Sequence, residues 1–223
     1  PVRQISYSSN GRKLLSFNEA GEIYEWTLSD LQRKGPYKPD GIDFGETVKP
    51  YGLTYLSDDG SFVAVYKESI NGKLNLAYFN SGDLSQVRNE QIDAEFSVSY
   101  AKSGNSGKIL AVVPNMGTEV LIVSLETGQI IRKMDFHAPV TSLSFNQNAP
   151  EFFVSLYDGT SRIISATDFN TIREFDFSDL PIILKTDISP NGKYIAIGCK
   201  RPMASQISTN LAEIHVVDVE TGQ

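Results

Sequence analysis

The residue types that carry most acid–base and metal chemistry are scarce in this sequence. Histidine occurs twice, as His137 and His215, and cysteine once, as Cys199. No Gly-x-Ser-x-Gly motif is present to hold a serine nucleophile on a sharp strand-to-helix turn. The run from Gly104 to Lys108 has the glycines and lysine of a phosphate loop, but Ile109 follows where such a loop needs Ser or Thr. We therefore expect no catalytic set, no cofactor and no enzyme activity.

A short pattern of an apolar, a hydroxyl and an aromatic residue recurs along the chain and indicates a repeat. The copies are Ile5-Ser6-Tyr7, Leu53-Thr54-Tyr55, Val98-Ser99-Tyr100, Leu143-Ser144-Phe145 and the degenerate Thr186-Asp187-Ile188. Their central residues, 6, 54, 99, 144 and 187, are 48, 45, 45 and 43 positions apart. This period is close to the roughly 40–45 residues of a four-stranded propeller blade.

Each triplet is followed by a turn and a second strand. Gly11, Gly107 and Gly192 occur in Asn-Gly or Ser-Gly pairs of the kind that supply the positive φ of a tight hairpin, whereas the copy at Gln147 to Pro150 lacks glycine and needs another turn. The second strands are almost continuously apolar, which predicts burial on both faces. They are Leu14 to Phe17, Phe62 to Val65, Ile109 to Val112, Phe152 to Ser155 and Tyr194 to Ile197.

A third strand closes each unit, and weaker fourth strands are expected at the solvent-facing blade edges. No long segment has the 3.6-residue apolar period of a helix. The sequence thus predicts an all-β protein, a β-propeller with four-stranded antiparallel blades, of which this chain has five and which belong to a larger ring. The expected blades span residues 2–47, 48–94, 95–137, 138–180 and 181–223, the last incomplete.

The repeats resemble WD40 repeats. In the fourth unit, His137 precedes a Pro-Val pair and a strand ending in Phe, and Asp158-Gly159 resembles the turn before the third strand of that family. The resemblance implies a hydrogen-bond network joining His137, Asp158 and a strand hydroxyl, for which Ser155 is the candidate. Trp26 in the first unit occupies the Trp position of the repeat, where Ile164 stands in the fourth.

Phrases such as Ser189 to Ala196 are also similar to lactonase-like and TolB-like propellers, some of which are enzymes. That resemblance implies a metal-dependent lactonase or hydrolase as the alternative function, with the metal in a central channel. Hydroxyls dominate the corresponding positions here, with one amide and one carboxylate, which is a poor set of ligands for a divalent cation. These positions are Gln4, Ser6, Ser97, Ser99, Ser142, Ser144, Thr186 and Asp187.

Charge and composition narrow the choice of partner. The net charge is −7, from 20 Lys and Arg against 27 Asp and Glu, and no basic run opposes it, so nucleic acid is not expected as a partner. The longest apolar stretch, Ile109 to Val113, is far shorter than the roughly 20 residues that cross a bilayer. A single cysteine excludes an internal disulfide and leaves the compartment open.

The remaining interpretation is a non-catalytic scaffold that binds another protein. Candidate contacts are residues at the entry to inner strands or in nearby turns, because aromatic and Arg side chains dominate binding hot spots. They are Arg3, Tyr51, Thr141, Tyr157 and Lys185. Long connections at Gln32–Lys49 and Arg201–Asn210 are further binding candidates. We also expect the chain to be part of a longer propeller and, when isolated, to self-associate through open blade edges.

Overall fold

The computed structural model contains strands and no helix among the residues that it describes. The described residues are 1–8, 10–40, 42, 44, 48–56, 61–68, 72–80, 85–93, 97–104, 107–146, 148–180, 182–189, 191–200 and 212–222. Within them, no helix is long and apolar enough to cross a membrane. The Arg201–Asn210 connection and the Asp58-Asp59 turn lie outside the described residues.

Nineteen described strands form five antiparallel sheets, which confirms the prediction of an all-β propeller with five blades. Each sheet follows chain order, so neighbouring strands in the sequence pair with each other. Blade 1 contains β1 (Val2–Tyr7), β2 (Lys13–Asn18), β3 (Ile23–Thr27) and β4 (Gln32–Tyr37). Blade 2 contains β5 (Val48–Tyr55), β6 (Phe62–Glu68), β7 (Lys73–Phe79) and β8 (Gln86–Asp93).

The third and fourth blades repeat this order, and the fifth has three described strands. Blade 3 contains β9 (Val98–Gly104), β10 (Ile109–Pro114), β11 (Glu119–Ser124) and β12 (Ile130–Asp135). Blade 4 contains β13 (Val140–Phe145), β14 (Glu151–Leu156), β15 (Thr160–Ser165) and β16 (Thr171–Asp176). Blade 5 contains β17 (Ile182–Ile188), β18 (Tyr194–Lys200) and β19 (Ala212–Asp218). The Gln32–Lys49 connection is therefore a fourth strand plus a loop.

The first hairpins of the blades close as the sequence predicts. Gly11, Gly107 and Gly192 have φ values of 67°, 76° and 70°, which only glycine adopts without strain. The turn without glycine in blade 4 is closed by Asn146 instead. Its side-chain oxygen accepts a hydrogen bond from the Asn148 N–H at 3.0 Å, and its amide nitrogen donates to Glu151 Oε1 at 2.6 Å. An Asx turn thus replaces the Asn-Gly turn.

The chain divides into two compact units, residues 1–112 with 121–132 and residues 113–120 with 133–223. In the first unit, a cluster with Leu15, Phe17 and Phe62 joins blades 1 and 2, and a cluster with Val65 and Leu121 joins blades 2 and 3. In the second unit, Phe153 and Ile163 of blade 4 pack with Ile195 and Ile197 of blade 5. Each of these clusters is a sheet-on-sheet core between consecutive blades.

Burial on both faces holds for the second strands β10 and β14, but it is wrong for β18. Residues alternate along β18, with Ile195 and Ile197 buried and Tyr194 and Ala196 exposed. The reason is that blade 4 covers one face of this strand, while its other face is open to solvent.

Candidate functional site

The innermost strands of four blades share a one-residue register shift at the same place in the repeat. Pairing with the second strand skips Arg3 in β1, Tyr51 in β5, Thr141 in β13 and Leu184 in β17. Each skipped residue lies two positions before the first residue of its triplet. An extra residue of this kind is a β-bulge, which bends a strand and redirects a side chain, and bulges are common beside functional sites.

Three of the five predicted contact residues, Arg3, Tyr51 and Thr141, are therefore bulge residues, and Lys185 directly follows a fourth. Leu184 itself, whose side chain is 48% exposed, is not among the contacts predicted from the sequence. Its spacing from the degenerate triplet at Thr186 is the signal that could have identified it. The bulge explains why residues at this position behave alike although their side chains differ.

In the first unit, the bulges of blades 1 and 2 lie next to each other. Gln4 Nε2, beside Arg3, donates to the carbonyl oxygen of Tyr51 at 3.3 Å. Arg3 is exposed and forms an ion pair with Glu19. Tyr51 is half-buried and packs against the core between blades 2 and 3. This part of the site presents a cation and an aromatic ring close to one another.

In the second unit, Thr141, Tyr157 and Lys185 lie around one strand junction. Thr141 Oγ1 donates to the Ser155 carbonyl at 3.1 Å, so this hydroxyl is used within the blade. The Tyr157 N–H donates to the Pro139 carbonyl at 2.8 Å, and the Tyr157 side chain is 48% exposed. Lys185 is exposed on β17. Of these three side chains, Tyr157 and Lys185 are the ones that a partner can reach most readily.

The turn after Tyr157 is held in place by His137. His137 Nε2 and Asp158 Oδ2 are 2.7 Å apart, and Thr160 Oγ1 lies 3.3 Å from the same histidine nitrogen. Partial burial opposes ionisation of Asp158, but hydrogen bonds from Thr160 and His137 outweigh it and hold the pKa of this carboxyl below its usual value. The hydroxyl beside His137 thus belongs to Thr160.

Ser155, the candidate hydroxyl for that network, lies in a different cluster. Its Oγ donates to Thr186 Oγ1 at 3.4 Å, and the Thr186 N–H donates to Ser142 Oγ at 3.0 Å. Ser144 Oγ donates to the Thr186 carbonyl at 2.8 Å. All four residues are at most 5% exposed, so these hydroxyls join β13 to β17 within a buried layer and do not line an open channel. Within blade 1, Trp26 Nε1 donates to Ser16 Oγ at 3.1 Å.

Among the described residues, no three His, Cys, Asp or Glu side chains are grouped closely enough to hold a metal ion. His215 Nε2 lies 3.3 Å from Glu213 Oε2 on the same strand, which makes a pair without a third such ligand. Cys199 is buried, and burial raises the pKa of its thiol. Burial of this kind keeps a cysteine in its unreactive thiol form.

Comparison with known proteins supports the fold. No family model matches this sequence, and no curated protein matches it. Among solved structures, the hydrazine synthase of Kuenenia stuttgartiensis is similar in fold, with a TM-score of 0.74 and 12% sequence identity. The match covers 98% of this chain and 63% of that one, so the chain spans less than two thirds of its structural neighbour. At this identity the likeness shows a common propeller-type architecture alone.

Proposed function

We propose that this chain is a WD40-like scaffold that binds another protein through the bulged ends of its inner strands. The observation that carries this proposal is the β-bulge at one equivalent position in four blades. A bulge interrupts ladder pairing, so its recurrence supports a selected use of the redirected side chains. Arg and Tyr at or near these bulges are among the residue types that dominate binding energy.

The surroundings of Tyr157 support the same interpretation. The ring is half exposed, while the backbone on both sides is fixed by the Pro139 carbonyl and by the His137–Asp158 pair. An aromatic side chain on a fixed turn loses little conformational entropy on binding, which makes it an efficient anchor. The net charge of −7 favours a partner with a basic contact surface.

The proposal is tested with one alanine variant for each unit. The first replaces Arg3 and Tyr51, and the second replaces Thr141, Tyr157 and Lys185. A control replaces five residues on the outer strands β12 and β16 with alanine, namely Ile131, Arg132, Lys133, Thr171 and Ile172. Proteins cross-linked to the wild-type chain in cell extract are identified by mass spectrometry and then compared among the variants.

We expect at least one partner to be retained by the control and lost by one of the two site variants. Retention of every partner by both site variants would contradict the proposal. A screen of the protein for bound metal and for esterase and lactonase activity tests the alternative, since a metal-dependent turnover would replace the scaffold by a propeller hydrolase.

A further inference from the structure

Blade 1 exposes apolar residues at repeat positions that are buried in other blades. Ile5 and Tyr7 of β1 are 57% and 60% exposed. The equivalent residues of blade 2, Leu53 and Tyr55, are each 7% exposed. The difference has a simple cause, because Leu53 and Tyr55 belong to the core that blade 2 forms with blade 1. The corresponding face of blade 1 is open, and we call it the leading face.

The leading face of blade 1 also carries the only tryptophan of the chain. Trp26 and Tyr24 are half-buried on β3, next to β2. The Arg33 guanidinium lies 4.8 Å from the centre of the Tyr24 ring and 5.6 Å from that of Trp26. With Tyr7, this makes three aromatic rings and one arginine on a single sheet face. Trp, Tyr and Arg are the residue types most enriched at interface hot spots.

Blade 5 has a complementary open face. Ile214 and Val216 of β19 are 78% and 65% exposed, although they alternate with buried Val217 on the other face. In blade 4, Ile163 stands at the position of Val216 and is 3% exposed. Ile163 and Phe153 are the residues through which blade 4 packs against blade 5. We call this face of blade 5, which would pack against a following blade, its trailing face.

Every junction inside either unit joins the trailing face of one blade to the leading face of the next. Phe17 of blade 1 meets Tyr55 of blade 2 in this way, and Phe153 of blade 4 meets Ile195 of blade 5. The two open faces of the chain are therefore one of each kind. We infer that the trailing face of blade 5 in one molecule docks on the leading face of blade 1 in a second copy of this chain.

Charge is consistent with this pairing. Asp187 is exposed on the trailing face, where it is paired across β17 and β18 with Ala196. Ser144 occupies the same repeat position in blade 4, and its hydroxyl reaches the inner strand of blade 5 by donating to the Thr186 carbonyl. A carboxylate at this position reaches towards the following blade in the same way and favours a cation there. Arg33 is the exposed cation among the aromatic rings of the leading face.

The size of the faces sets the strength of the contact. Three or four strands of six residues cover roughly 300–400 Å² in projection, from strand spacings of about 4.8 Å and rises of about 3.3 Å per residue. A stable interface buries about 800 Å² on each partner. The association is therefore weak and concentration-dependent. Because the two faces differ, each dimer leaves one open face of each kind and can extend into longer chains or a ring.

The experiment uses two variants that each block one face. Val216→Asp places a charge on the trailing face, and Tyr7→Lys places one on the leading face. Ile172→Asp is the matched control, because Ile172 is 57% exposed on the outer strand β16. Sedimentation velocity is measured from about 10 μM to about 1 mM, a range in which weak interfaces become populated. Circular dichroism and thermal unfolding of each variant verify that it is folded.

The wild-type chain and the control are expected to associate with similar dissociation constants. Each blocked variant alone should lose association by at least about tenfold. A mixture of the two blocked variants should form dimers again, because one still has a leading face and the other a trailing face. Trp26 emission should shift to shorter wavelength in the mixture as its ring leaves water.

Three results would overturn the inference. They are a wild-type chain that is monomeric at all concentrations, a control that loses association like the blocked variants, and a mixture that stays monomeric. Dimers of Val216→Asp alone would also do so, because they would show that leading faces pair with each other. None of these results concerns Arg3, Tyr51 or Tyr157, so the proposed partner surface is tested separately.

Discussion

Arg88 donates from Nη2 to the carbonyl oxygen of Glu126 at 2.6 Å. The same nitrogen donates to the Leu125 carbonyl at 2.9 Å, and the guanidinium lies 3.9 Å from the centre of the Tyr78 ring. The outer strand of blade 2 is thereby fastened to a turn of blade 3. In the second unit, Arg173 of blade 4 donates to the Glu220 carbonyl of blade 5 at 2.7 Å. A fourth-strand arginine that binds the next blade's third turn thus occurs in both units.

We expect Arg88→Ala to lower the free energy of unfolding by about 1–3 kcal/mol, because it removes charge-assisted hydrogen bonds and a cation–π contact. Arg88→Lys should recover part of this loss, since an ammonium group keeps the charge but not the planar fork. Urea unfolding followed by circular dichroism measures both. Arg132→Ala, on the exposed strand β12, is the control and should stay within about 0.5 kcal/mol of wild type. Equal losses from Arg88→Ala and Arg132→Ala would contradict this role.

Glu25 is 2% exposed and joins blade 1 to blade 2. Its Oε1 accepts hydrogen bonds from Lys13 Nζ at 3.0 Å and from Tyr55 Oη at 3.4 Å. Burial, and then the charge of Glu25, raise the pKa of Tyr55 well above its usual value. We expect Glu25→Leu to cost about 1–3 kcal/mol, because it leaves a buried tyrosine hydroxyl unpaired.

Tyr55→Phe is the matched control for this network. It removes one long hydrogen bond and leaves the Lys13–Glu25 pair in place, so it should cost less than Glu25→Leu. Thermal unfolding of the two variants at neutral pH provides the comparison. A greater loss from Tyr55→Phe would show that ring packing, and not the carboxylate, holds this junction.

Gly159 is required by both conformation and space. Its φ is 90°, and a Cβ atom there would lie 2.7 Å from Cα and N of Ser178. Gly159→Ala should therefore destabilise the protein by at least about 2 kcal/mol, whereas Gly11→Ala should cost only the roughly 1–2 kcal/mol of a left-handed backbone. Gly11 has a φ of 67°, and a Cβ atom added there would have nothing within 4 Å of it. Similar melting temperatures for the two variants would exclude the steric part of this explanation.

Stability should fall in acid partly through Asp158. The pKa of this carboxyl is lowered in the folded protein, so its contribution is complete above the usual Asp value of about 3.9 and is lost as pH falls through the lower folded value. Asp158→Asn should flatten the dependence of unfolding free energy on pH in this range. Thr160→Val, which removes one donor to the carboxylate, should give an intermediate slope. Unfolding in urea at a series of pH values measures both, and unchanged slopes would refute the assignment.

The local features of the fold are readable from residue order. Period, triplets and turn residues predict five blades because strand alternation and hairpin turns depend on side chains a few positions apart. The same reasoning predicts fourth strands at Val87–Ile92, Ile130–Phe136 and Ile172–Phe177, which the structure places at Gln86–Asp93, Ile130–Asp135 and Thr171–Asp176. The bulges are also latent in the sequence, two residues before each triplet, but they become visible only once strand pairing is known.

Contacts between blades depend on tertiary structure. Ser142, Ser144 and Thr186 have the composition of a channel lining, yet they bond to one another because consecutive inner strands lie side by side. Arg88 and Arg173 bind backbone carbonyls, an acceptor that every residue offers and that no sequence pattern marks. Ile197 and Val216 are similar in type, but one is buried and the other 65% exposed. Residue order thus determines the strands and turns, whereas burial is decided by which sheet lies against each face.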